Sequence, residues 1–66
     1  MKYIRAENFI IFVDKIIFIE DVSKDKYYKK LGIASRIHTK SAVLEVGMCG
    51  EDIQHLIDMV NQWQVF

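Results

Sequence analysis

Nine of the eleven residues in segment 9–19 are apolar, and only Asp14 and Lys15 interrupt them. Ile, Val and Phe dominate, so the segment reads as two strands, 9–13 and 16–22. Alternation puts Phe9, Ile11 and Val13 on one face of the first strand and Ile10 and Phe12 on the other. On the second strand it sets Ile16 and Phe18 against Ile17 and Ile19. Neither strand has a polar side, so a sheet built from them needs a cover on both faces.

The rest of the chain supplies one clear cover. Near the C-terminus Ile53, Leu56, Ile57, Val60 and Trp63 follow the spacing of a single helical stripe, with Gln54, His55, Asp58, Asn61 and Gln62 opposite. Gly50 is the expected N-cap, and Glu51 with Asp52 put negative charge at the positive end of the helix dipole. Residues 2–6 read as a first strand that turns at Glu7 and Asn8, with Asn8 suited to positive φ. Segment 33–39 alternates, with Ile33, Ser35, Ile37 and Thr39 on one face and Ala34, Arg36 and His38 on the other. A turn at Lys40 and Ser41 leads into strand 42–48. The expected fold is α+β: one domain, residues 1–66, with a small antiparallel sheet of four to five strands and one C-terminal amphipathic helix packed on one face.

A domain of 66 residues hides only about 60% of the surface its unfolded chain exposes, and small folds make up the deficit with disulfides, a metal or association. Cys49 is the single cysteine and forms no internal disulfide; with His38 and His55 it has no zinc-site spacing. Association remains, and a homo-oligomer is expected through Ile10, Phe12, Ile17, Ile19, Trp63 and Phe66. Four such side chains left in water would forgo roughly 6 to 12 kcal/mol of burial, as much as a typical domain's whole stability. The alternative cover is segment 24–31, folding back as a lid with Tyr27, Tyr28 and Leu31.

The net charge is zero, yet it is unevenly spread. Segment 24–40 holds Lys24, Lys26, Lys29, Lys30, Arg36 and Lys40 against Asp25, hence +5; Lys2, Arg5 and Lys15 against eight acids leave the remainder at −5. These cations, interleaved with Tyr27 and Tyr28 and joined by His38, suit an anionic partner: an acidic protein, a nucleotide or a nucleic acid. Arg36, His38 and Lys40 share one strand face, an expected positive stripe. No nucleophile or orienting carboxylate stands at readable spacing from His38, so no catalytic residue, metal ligand or cofactor is assigned. His55 between Glu51 and Asp58 reads as ordinary surface pairing, and Cys49 as a small buried thiol; Met48 and Met59 are expected to fill the core. The longest apolar run is five residues, too short for a membrane span, and with one unpaired cysteine the expectation is a cytoplasmic protein.

Tyr3-Ile4-Arg5, then Phe9 through Glu20 with its two apolar strands around Asp14-Lys15, a later hairpin and a closing Glu-Asp-Ile helix together resemble small uncharacterised proteins common in bacteria and their phages. The strand pair is similar to one in LytTR-type DNA-binding domains, although this chain is shorter and none of its residues map onto that family's DNA-reading positions. The resemblance implies a stand-alone accessory protein of a phage or mobile element. Together these readings give a non-enzymatic, homo-oligomeric binding or regulatory protein. Alternatives are an inhibitor of a host defence protein, a sequesterer of a signalling nucleotide, and a nucleic-acid-binding regulator. An enzyme using His38 or Cys49 is the remaining rival.

Overall fold

A computed structural model describes residues 2–62. Strands β1 (Tyr3–Ala6) and β2 (Phe9–Phe12) form an antiparallel hairpin that pairs Tyr3 with Phe12 and Arg5 with Ile10. A 3-10 turn at Val13–Lys15 leads to β3 (Ile16–Asp21), the short helix α1 (Lys26–Lys30), β4 (Ser35–Thr39), β5 (Val43–Val46) and the helix α2 (Gly50–Gln62). The last three strands make a second antiparallel sheet in the order β3-β4-β5. The layout is α+β, with five strands among the described residues divided between two sheets.

The division follows from the break at Asp14 and Lys15. The 3-10 turn there ends the hairpin, and the chain re-enters a different sheet, where the backbone N–H of Lys40 donates to the Lys15 carbonyl at 3.1 Å. The inner faces meet at one core: Ile4 and Ala6 from β1, Ile11 from β2, Ile37 from β4, Val46 from β5, and Ile53 and Ile57 from α2. Leu56 and Val60 pack at its edge, so the helical stripe works as expected as far as Val60. Trp63 and Phe66 lie outside the described residues. α2 begins one residue earlier than the sequence implied: the N–H of Ile53 donates to the Cys49 carbonyl, so Cys49 and not Gly50 holds the cap position. Met48 packs against the core, whereas Met59 stands exposed.

Strict alternation fails in β3. Ile16 pairs with Thr39 but Phe18 pairs with His38, so Ile17 is an extra residue bulged out of the ladder. The bulge shifts the phase: Ile16 and Ile19 both pack on the core, while Ile17 and Phe18 both face solvent. Ile19 therefore leaves the set of expected interface residues, and Ile17, Ile10 and Phe12 remain exposed.

The hairpin is locked to the second sheet through its turn. Glu7, not Asn8, takes the positive φ, at 55°. This is a conformation that non-glycine residues seldom adopt, and the Glu7 carboxylate accepts a hydrogen bond from the Gly47 N–H in return. Gly47 leaves room for that contact: a Cβ there would lie 2.9 Å from Glu7 Oε1 and 3.0 Å from the Gly32 carbonyl oxygen.

Candidate functional site

Pairing across β3, β4 and β5 aligns outward-pointing residues into one surface. Phe18 stands beside His38, and Glu20, Arg36 and Glu45 occupy one rung across the three strands. Arg36 Nη1 donates to Glu20 Oε1 at 3.3 Å, and its Nε lies 3.3 Å from Glu45 Oε2. His38 Nε2 sits 3.0 Å from the same Glu20 oxygen; an ionised carboxylate only accepts, so the imidazole donates. The His38 ring also stacks on Phe18, with centroids 4.0 Å apart and planes 15° from parallel. The face is thus a connected polar and aromatic network.

This arrangement removes the positive stripe expected from Arg36, His38 and Lys40. Arg36 stands between two acids and His38 on one, so this part of the face carries no excess of positive charge. The strand register, which single-strand alternation does not contain, decides the outcome. Arg36 and Glu45 sit at outward positions of their own strands by alternation alone, whereas Glu20 shares the phase of Ile16 and Phe18 and turns outward only through the bulge at Ile17. Alternation sets Phe18 on the face opposite Ile17 and Ile19, and the bulge at Ile17 is what puts it on the same side as Ile17 and into the site.

The basic segment divides accordingly. Asp25 caps α1: its Oδ1 accepts from the N–H groups of Tyr27 at 2.9 Å and Tyr28 at 3.4 Å. Gly32, at φ 75°, ends the helix, and its N–H donates to the Lys29 carbonyl. One side chain of α1 reaches the sheet face: the Tyr28 ring lies 5.5 Å from the Arg36 guanidinium carbon. Tyr27 packs edge-on to Tyr28 and is 66% exposed, and Leu31 is exposed too, so the segment covers the sheet through Tyr28 alone and is no lid. Lys26, Lys29 and Lys30 line a shallow depression open to solvent. Among the described residues, no carboxylate lies within ion-pair reach of Lys24, Lys26, Lys29, Lys30 or Lys40. At the entry to this segment the Ser23 hydroxyl and N–H hold the Asp21 carboxyl below its ordinary value, with a smaller contribution from Lys24.

A second surface lies on the outer side of the hairpin. Tyr3 and Phe12 meet edge to face at 6.5 Å, with Ile10 beside them, and all three are exposed. A groove of about 170 Å³ runs between this hairpin and the β4–β5 turn, lined by Ile10, Phe12, Ala42 and Leu44 among others. Elsewhere His55 is exposed on α2, and its neighbour Asp58 accepts a hydrogen bond from Gln54 Nε2. Cys49 is half-buried. Among the described residues no three His, Cys, Asp or Glu side chains come together to hold a metal, and no helix is long and apolar enough to cross a membrane.

The described residues form a small α+β protein with an apolar outer face, a charged and aromatic outer face, and a lysine cluster with no carboxylate partner among them. Comparison with protein-family models, curated proteins and solved structures finds no match to this chain.

Proposed function

We propose that the chain is a non-enzymatic binding protein that associates with copies of itself through the outer face of the β1–β2 hairpin and meets an anionic partner through the lysines of α1 and its entry. The observation that carries this reading is a separation of roles. Arg36 and His38 are engaged by Glu20 and Glu45, whereas Lys24, Lys26, Lys29 and Lys30 stand exposed. Lys24 acts on the nearby Asp21, but Lys26, Lys29 and Lys30 have no carboxylate within ion-pair reach among the described residues and are available to another molecule's anions.

Self-association is supported by the hairpin. Tyr3, Ile10 and Phe12 stand 51%, 56% and 38% exposed on one small surface. Contiguous apolar side chains of this size usually mark a contact surface. The test is the mass in solution by light scattering at low and high salt, with the ratio of absorbance at 260 and 280 nm. An oligomer that persists in high salt and carries no nucleic acid is expected; a monomer at micromolar concentration would overturn the assembly.

A further inference from the structure

We infer that the anionic partner is a single-stranded nucleic acid, seated on the outer face of the β3–β4–β5 sheet with its phosphates toward α1. The inference rests on the anionic-partner reading and names that partner. It starts from Phe18. One side of this ring is taken by the His38 imidazole; β3 is an edge strand, so among the described residues no strand pairs with it on the other side, and the ring is 51% exposed. An exposed aromatic ring continuing an existing stack is a platform for a base. Tyr27, 66% exposed and braced against Tyr28, offers a second ring among the lysines.

The acids on the same face sharpen the choice. Glu20 contacts Arg36 and His38 through Oε1 alone, and Glu45 contacts Arg36 through Oε2 alone, so each keeps one oxygen uncommitted among the described residues. Those oxygens repel phosphate but accept hydrogen bonds from the exocyclic amino groups of adenine and cytosine, which thymine and uracil lack. A duplex presents phosphates along its outside and hides its ring faces, so this surface disfavours it. A strand with splayed bases can turn them to the rings and carboxylates while its phosphates meet Lys24, Lys26, Lys29 and Lys30. An acidic protein would have no use for the open ring and would meet Glu20 and Glu45 with like charge.

The experiment is fluorescence anisotropy with short labelled oligo(dA), oligo(dC), oligo(dT), a duplex and inorganic polyphosphate, for the wild type, Phe18→Ala, Phe18→Trp and the double variant Lys29→Ala with Lys30→Ala. Wild type should bind oligo(dA) and oligo(dC) more tightly than oligo(dT) or duplex. Phe18→Ala should weaken single-strand binding by about 5- to 100-fold with an unchanged salt slope, and Phe18→Trp should restore it. The double lysine variant should weaken binding to every anion and lower the salt slope by about 1.4. Polyphosphate or duplex binding that depends on the lysines, with oligonucleotide binding indifferent to Phe18, would overturn the single-strand assignment and leave the anionic-partner reading standing. Absence of binding to all five probes would overturn both.

Discussion

The two-stranded and the three-stranded sheet share one core, but their outer faces differ in kind. On the hairpin, Tyr3, Ile10 and Phe12 stand partly in solvent beside Arg5, packed on one another but not covered by another element among the described residues. On the three-stranded sheet Glu20, Arg36, His38 and Glu45 meet charged partners on neighbouring strands and Phe18 is stacked on an imidazole, although Ile17 and Val43 stay exposed. An apolar face gains free energy only when another surface removes it from water, whereas a paired polar face is already satisfied and fixes the geometry of whatever it meets. The difference is what the proposal builds on, with assembly through the first sheet and recognition through the second.

The largest effect should come from breaking the apolar face. Replacing Ile10 and Phe12 together with Lys would remove up to four large side chains from a two-fold interface, worth at most roughly 6 to 12 kcal/mol of association. Sedimentation should then report a monomer with near-native helix and strand content. A monomer that keeps its fold separates assembly from folding, and an unchanged mass would place the interface elsewhere.

A smaller loss is expected at the joint between the sheets. Gly47→Ala puts a methyl group 2.9 Å from Glu7 Oε1 and 3.0 Å from the Gly32 carbonyl oxygen. Glu7 can swing away, but the Gly32 backbone cannot, so destabilisation of about 1 to 3 kcal/mol is expected in denaturant titration. The smallest effect belongs to the satisfied face. Arg36→Gln leaves Glu20 and Glu45 facing each other across β4, yet all three side chains are partly solvated, with relative exposures of 28%, 43% and 41%. The expected loss is about 1 kcal/mol, shrinking as salt is added, with the oligomeric mass unchanged.

Much of this architecture was legible in the residues. The alternation of β4 put Ser35 and Ile37 together on one face, which is the buried one, and the stripe from Ile53 to Val60 defined the face of α2 that packs. The connection between β3 and β4 holds the short helix α1, with Asp25, a favoured N-cap residue type, at its start. Three features lay beyond such reading. Counting by twos cannot show a bulge, so Phe18 and Ile19 exchanged their expected faces. Cross-strand register cannot be taken from one strand, so the pairing of Arg36 with Glu20 and Glu45 was invisible while the cations were counted along the chain. The positive φ fell to Glu7, because the bond its carboxylate makes to Gly47, forty residues away in the sequence, stabilises the choice.

The bulged Ile17 also bears on solubility. β3 is an edge strand, and a flat, apolar edge with a run such as Ile-Ile-Phe-Ile invites another chain to add on and continue the ladder into a fibril. An extra residue disturbs the spacing of the exposed donors and acceptors and bends the strand locally, so an incoming strand finds no continuous register. Deleting Ile17 would restore regular pairing within the sheet and at the same time offer the outside world a clean template. The irregularity thus protects the most aggregation-prone stretch of the chain.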